Sequence, residues 1–545
     1  MKIYEALAKI IFHHGLDTCF ALLGDANMHW AGAQKSLGTK FIYTWHEHAA
    51  VAAATSYARN SGKIGFASVT CGPGLTQVMT ILPIAVRAKI PLLLFAGEAP
   101  LNKAWYNQKI DHAPFVTACG AEYRALYRPE TMMEELSEAI IFAKEQQCPV
   151  VVGIPFDLQK QAFEGPLVLP EPTQNKLRLK SAVLPIASIK KAAEWLCEHE
   201  RIIILAGLGA CSQDAKEICL AMAKKTGALL ATTLPAKGLF HDQDFCLGVA
   251  GGYASEKARE IFKHAQLVIA VGSRLASHTF DDGKLTPNAK VIQIDISPNE
   301  YVQGRKASNL TIKAEAAQGL KALSGYIQTK TQNGWRTEGM KQKTALALTL
   351  TSNAPPRDGF LHPMSVISVL QDSIPASCHI INTSGHCAYF TAQMNKHPNS
   401  HYTVIRDFGA IGNGTSFALG IAALHPDRPV ILLDGDGSAI MHIQELDTMR
   451  RHKLNIMSIV LNDGGYGSEI HKLRVNGVSL DGSMFDRVDF EAVGTAFGLR
   501  STTATSLEGL RDSLADFLHA GGPAICNVQI SNTIASPQMN RLLGS

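Results

Sequence analysis

"PVILLDGDGSAIMHIQELDTMRRHKLNIMSIVLNDGGYG" occupies residues 429–467. Two aliphatic runs, 429–433 and 455–461, each end in a turn of glycine and aspartate. Between them, Ile440, Ile443, Leu446 and Met449 recur about every three residues, the spacing of one apolar helix face. Strand, helix and strand in succession form a βαβ unit, whose two strands run parallel. Their carboxyl ends then share one edge of the sheet, the edge where open α/β sheets bind ligands. Asp436 and Asp463, 27 positions apart, are therefore predicted to be neighbours in space. Two carboxylates with glycine-turn carbonyls make an all-oxygen set suited to Mg²⁺. That ion takes one or two carboxylates and fills its other positions with water and ligand phosphates. Gly437 and Ser438 open the helix, where N–H groups and the helix dipole favour a phosphate. The stretch reads as a metal-bridged phosphate pocket.

The same alternation runs along the whole chain. "FIYTW" (41–45), "IGFASVT" (64–70), "PLLLFAG" (91–97), "RIIILAG" (201–207), "QLVIAVG" (266–272) and "KVIQIDI" (290–296) are short continuous apolar runs between helical patterns. Such runs predict parallel strands covered on both faces. The class is α/β, with repeated doubly wound units and mainly parallel sheets. Polar, Pro-rich or strandless stretches at 164–185, 328–343 and 352–360 read as connections. Three domains are expected, over 1–170, 185–330 and 355–545.

Composition narrows the function class. At 46% hydrophobic and 18% charged residues, the chain can fill several cores. The net charge is only +4, without a Lys/Arg run, so neither a nucleic-acid footprint nor a membrane-surface patch is expected. No apolar stretch reaches the length of a membrane-spanning helix. Eleven scattered cysteines without a C-x-x-C pair suit reduced thiols. A cytoplasmic location is the expectation.

"GDGS" (435–438) followed by "NDGGYG" (462–467) resembles the fingerprint of thiamine diphosphate enzymes, in particular the acetohydroxyacid (acetolactate) synthase and 2-oxo acid decarboxylase group. The likeness spans nearly the whole chain, in the order pyrimidine-binding, middle and diphosphate-binding domain. It implies Asp436, the Asp463 side chain and the Gly465 carbonyl as metal ligands, with Gly437, Ser438 and Tyr466 around the cofactor. Asp463 stands where the family usually has asparagine, which adds a negative charge beside a diphosphate. "FIYTWHEHAAVAAATSYAR" (41–59) places Glu47 at the start of an Ala-rich helix. Taken alone, Glu47 is a first-turn helix acid. By resemblance, it hydrogen-bonds the aminopyrimidine ring and promotes the imino tautomer that generates the ylid. The glycine-proline-glycine turn that opens at Gly72 belongs to the same segment. "RDFGAIGNGTSFALG" (406–420) resembles the turn that bends the cofactor, with Gly409 taking the ring amine and Ile411 propping the V shape. Ser384 and His386 in "NTSGH" (382–386) are further candidates for diphosphate or substrate contacts.

The resemblance implies decarboxylation of a 2-oxo acid through ylid and enamine intermediates, then either ligation to a second carbonyl or protonation to an aldehyde. Asp25 in "LLGDANMHW" (22–30) and Glu469 in "GGYGSE" (464–469) match protonating acids of simple decarboxylases. "AWYNQKIDHAPF" (104–115) lacks the paired histidines of those enzymes and resembles the synthase side, with Gln108 near the substrate and His112 an extra. The synthase branch leads, a decarboxylase is the alternative, and a non-catalytic cofactor-binding protein is a third reading. Flavin (FAD) belongs to the synthase branch, but "LGVAGGYA" (247–254) lacks the histidine of that pattern, so FAD is expected to be absent or dispensable. A homodimer or homotetramer with the site at the subunit interface is implied.

Overall fold

The computed structural model describes residues 1–164, 166–169, 184–329, 334–350 and 354–544. It contains three six-stranded sheets, one after another along the chain. The first comprises β1 (Thr18–Ala21), β2 (Lys40–Tyr43), β3 (Gly65–Val69), β4 (Leu92–Glu98), β5 (Glu122–Ala125) and β6 (Pro149–Pro155), in the order β2-β1-β3-β4-β6-β5. The second comprises β7 (Ile202–Ala206), β8 (Leu229–Thr232), β9 (Cys246–Val249), β10 (Leu267–Val271) and β11 (Lys290–Asp295). A small antiparallel pair, β12 (Tyr301–Val302) and β13 (Arg305–Lys306), precedes its last strand, β14 (Leu310–Lys313). The third comprises β15 (His379–Asn382), β16 (Tyr402–Val404), β17 (Val430–Gly435), β18 (Ile456–Asn462), β19 (Arg500–Ala504) and β20 (Ala524–Gln529), in the order β16-β15-β17-β18-β20-β19. Every pairing in the three large sheets is parallel, as the continuous apolar runs require.

The βαβ unit at 429–467 forms, with Val430 opposite Ile456 and Gly435 opposite Leu461. Its crossover is not the single helix that the spacing predicts. A short helix Asp436–Ala439, a tight turn Ile440–His442 and a second helix Glu445–Arg451 replace it. Leu446 and Met449 are buried, whereas Ile440 is 39% exposed. The stretch 328–343, expected as connection alone, contains the start of the helix Glu338–Leu348. The Pro-rich connection at 164–185 lies largely outside the described residues, and that at 352–360 does so in part.

The first and third domains meet through two helices. The Ala-rich helix Glu47–Ser61 is buried from His48 to Ala58 and packs along the helix Gly414–Leu424. Contact is close because Gly420 has no side chain; a Cβ there would overlap the Ala53 carbonyl oxygen. Ser56 Oγ donates to the Phe417 carbonyl at 2.7 Å. The middle domain is fastened to the third by Lys237. Its buried Nζ donates to the Ala392 carbonyl at 2.8 Å and to Asn395 Oδ1 at 3.3 Å. Burial lowers this amine to about 7. The glycines of "LAGLGA" (205–210) serve close packing, since Gly209 and Gly272 press together where β7 and β10 end. No helix of the described residues is long and apolar enough to cross a membrane.

Candidate active site

The two strand-end turns of the third sheet are joined by one carboxylate. Asp436 Oδ1 accepts its neighbour's Gly437 N–H at 2.9 Å. Its Oδ2 accepts the N–H groups of Gly464 at 2.8 Å and Gly465 at 3.2 Å. Asp463 is buried beside it. Burial, and then the Asp436 charge, hold the Asp463 carboxyl well above the usual carboxylate range. Asp436 is also raised by burial, against the pull of the three glycine N–H donors. Two buried carboxyls that each disfavour ionisation of the other suit a divalent cation, whose charge would relieve the repulsion. The donor set is all oxygen, so the residues fit Mg²⁺.

Arg487 opposes the same charges. Its guanidinium donates to the Asn462 carbonyl on one side of Asp463 and to the Ile530 carbonyl at 2.8 Å, and it lies 3.7 Å from the Phe360 ring centroid. Its positive charge pulls both carboxyls downward. The extra negative charge of Asp463, relative to an asparagine, thus has a cation fixed beside it.

The other aspartate of the opening stretch has a structural task. Asp434 Oδ1 accepts from Thr383 Oγ1 at 2.8 Å and from Gly435 N–H at 2.9 Å, tying β17 to the end of β15. Burial pushes its carboxyl up to about 6. Gly414 is required beneath it, because a Cβ there would overlap Asp434 Oδ2.

A narrow cleft opens above these turns. Ser384, His386, Ile411, Asp436, Gly437, Ser438, Asp463, Gly465, Tyr466 and Glu469 all line it, as do Cys387 and Phe390, which sequence reasoning missed. Ser438 Oγ accepts the Gly412 N–H at 2.8 Å and so anchors the loop that carries Ile411. Gly437 leaves room for the Tyr466 ring, 2.7 Å from where a Cβ would stand. Burial lowers His386 to about 3, and its Nε2 accepts the Ser536 N–H at 3.1 Å, so its ring is neutral and fixed. Glu469 is exposed and 3.4 Å from Lys472. Gly409 lies in the turn before Ile411 with φ +78° and is not among the lining residues.

A second cluster forms at the first sheet. Glu47 opens its helix, and burial raises its carboxyl against the pull of a backbone N–H and His46. The glycine-proline-glycine turn sits over it: a Cβ on Gly74 would stand 3.5 Å from Glu47 Oε1. Gly72 has φ +59° and no room for a side chain against the Gln108 carbonyl. Cys71 Sγ donates to Gln108 Oε1 at 3.3 Å, and Tyr106 OH reaches Asp25 Oδ2 at 3.5 Å. His112 is no mere extra: its buried Nε2 accepts the Gly72 N–H at 3.2 Å, while Nδ1 stands 3.5 Å from Glu98. Glu47, Gly72, Gln108 and Asp25 are thus brought together, but none lines the third-domain cleft of the same chain.

Family models match all three parts. Residues 1–115 match the N-terminal TPP binding domain of thiamine pyrophosphate enzymes, 189–323 the central domain and 383–528 the C-terminal TPP binding domain. The chain belongs to the thiamine pyrophosphate enzyme family. Its cofactor is thiamine diphosphate. Among curated relatives, the acetolactate synthase large subunit of Porphyra purpurea is 25% identical, covering 96% of this chain and 91% of its own length. The acetolactate synthase isozyme 2 large subunit of Escherichia coli (strain K12) is 26% identical over 95% and 93%. The acetolactate synthase large subunit of Buchnera aphidicola subsp. Schizaphis graminum (strain Sg) is 27% identical over 85% and 82%. Within this thiamine pyrophosphate enzyme, the turn that carries Glu47 is stapled to the third domain. Trp45 N–H donates to Glu445 Oε1 at 3.1 Å, Trp45 Nε1 to Asp447 Oδ2 at 2.7 Å, and Tyr43 N–H to His452 Nε2 at 3.0 Å. His48 Nε2 meets Asn413 Oδ1 at 2.6 Å. No motif pointed to this staple, because its partners, Trp45 with Glu445 and Tyr43 with His452, are 400 and 409 positions apart in sequence.

Proposed function

We propose that this thiamine diphosphate enzyme is a carboligase of the acetolactate-synthase type, acting on small 2-oxo acids. The observation that carries cofactor binding is the pairing of Asp436 with Asp463 at the carboxyl ends of β17 and β18, in one cleft with Ser438 and Ile411. Coverage of nearly the whole chain by acetolactate synthase large subunits supports the choice within the family. When bound, the cofactor would supply a nucleophilic carbon and an electron sink for the bonding pair left behind when carbon dioxide departs.

The chain supplies the rest. Asp436, Asp463 and the Gly465 carbonyl would hold Mg²⁺, whose charge would offset that of the diphosphate. Gly437 and Ser438 offer N–H groups to that diphosphate at a helix start. Ile411 would pack against the cofactor, and the Gly409 carbonyl would offer it an acceptor. Glu47, half-buried and with its carboxyl raised by burial, would share a proton with the cofactor's pyrimidine ring. Gln108 orients the acceptor, and Asp25, Glu469 and Tyr466 flank it. No residue of the Glu47 cluster lines the cleft of its own chain, which supports a homodimer or homotetramer that completes each site across an interface. We further propose a cytoplasmic enzyme in which FAD is dispensable.

The test is carbon dioxide release and product mass with Mg²⁺, thiamine diphosphate and a panel of 2-oxo acids including pyruvate. A hydroxyketone product supports carboligation; free aldehyde alone would overturn it in favour of decarboxylation. Glu47→Gln should slow turnover by roughly 10²–10⁴-fold while cofactor binding, followed by fluorescence quenching, persists.

A further inference from the structure

Behind the cleft lies a second cavity of about 330 Å³, at the small end of ligand sites. The helix Gly467–Val475 and the C-terminal helix Pro537–Leu543 flank it. Arg357 and Arg474 line it, and neither guanidinium has a carboxylate partner among the described residues. Arg357 projects from a tight turn whose backbone closes on Phe360 in both directions at 2.9 Å. Arg474 is steadied by the Asn532 carbonyl at 3.2 Å. No Asp or Glu lines the cavity; the nearby Asp358 carboxylate is already engaged by Thr533 Oγ1 at 2.6 Å. Val475 and Leu543 give the wall an apolar side. His471 is 4% exposed, and its Nε2 is buried without a hydrogen-bond partner.

We propose that this cavity is a second, non-catalytic binding site for a small organic carboxylate. Two arginines offer paired N–H groups matched to a carboxylate, and the apolar wall favours a short carbon body over inorganic phosphate. The ligand's identity as a 2-oxo acid rests on the reading of the cleft given above. Occupancy communicates with the cleft along one helix: His471 and Arg474 face the cavity, while Gly467 and Glu469 of the same helix line the cleft. The His471 ring also stands edge-on to that of His386, 4.7 Å between centroids. A carboxylate held between the two helices pins Gly467–Val475 and makes the rate respond cooperatively to substrate.

The test uses oxamate, an unreactive isostere of pyruvate, titrated calorimetrically into the full chain with Mg²⁺ and thiamine diphosphate. Two sites per chain are expected. The double variant Arg357→Met/Arg474→Met should lose one of them, and turnover against 2-oxo acid should change from sigmoidal to hyperbolic at an unchanged plateau. Leu543→Trp, which fills the cavity and leaves both arginines, should do the same and guards against a folding artefact. Equal stoichiometry in wild type and variants overturns the proposal. So does a second site that takes inorganic phosphate and refuses oxamate. Two oxamate sites with no carbon dioxide release from any 2-oxo acid would instead leave the cavity standing and sink the catalytic reading.

Discussion

Arg487 acts on Asp463 through charge without an ion-pair contact, while its guanidinium donates to the Asn462 and Ile530 carbonyls. A carboxylate beside a diphosphate repels it, and a fixed guanidinium compensates in a buried setting where Coulomb terms are little screened. Arg487→Met should therefore weaken Mg²⁺-dependent cofactor binding, and the loss should shrink in an Asp463→Asn background. Calorimetric titration of all four proteins measures this, with a coupling on the order of 1 kcal/mol expected; simple additivity would show that Arg487 only braces the Asn462 and Ile530 carbonyls. At this scale the sequence was legible where spacing carried the information. Asp436 and Asp463 meet because strand ends in a βαβ unit must share an edge. Arg487 was not legible, because it reaches the site from a loop after the motif, and "MFDRVDF" (484–490) has neither pattern nor partner in the linear chain. His112 was singled out but not understood, since its task depends on the Gly72 N–H, 40 positions away.

Helices and turns decide how the two halves of the site are held. Gly420→Ala should force the Gly414–Leu424 helix away from Ala53 and cost about 1–3 kcal/mol, read as a lower unfolding temperature. Glu445 stabilises the Trp45 turn yet is lifted by burial to about 7, against the pull of Thr448 and the Trp45 and His46 N–H groups. The folded chain keeps this proton where the unfolded chain releases it, near 4.5, so its contribution is full below that pH and is lost as pH rises towards 7. Glu445→Gln should flatten this part of the stability profile, checked by thermal unfolding between pH 5 and 8. The apolar spacing from Ile440 to Met449 predicted one helix, and the chain made two short ones. Three-residue spacing identifies burial at Leu446 and Met449 but does not exclude a turn between helices, and Ile440 is left exposed. Parallel strands were easier to read, because each is buried on both faces and its apolar run is unbroken.

In the whole molecule, three doubly wound domains follow one another, and the first and third divide the cofactor between them. If Glu47 of one subunit serves the cleft of another, two inactive proteins should repair each other. Glu47→Gln mixed with Asp436→Asn, after subunit exchange, should regain turnover, because some interfaces then pair an intact Glu47 with an intact Asp436. Continued silence in exchanged mixtures would place both groups in one subunit's site. The three-domain order was visible in the sequence, but the fastenings between domains were not, because each joins single groups about 150–400 positions apart with no motif of their own. Lys237 is the plainest of these. Burial lowers its ionisation to about 7, and that pull towards the neutral amine lasts only while the two domains stay joined. It is 3% exposed, so reagent cannot reach it. Surface lysines are accessible but protonated; Lys237 is the reverse. Residue-resolved acetylation would make it a clock for the parting of the middle and third domains: silent while they are joined, and labelled at the rate of an ordinary surface lysine once separation exposes the amine and restores its usual pKa.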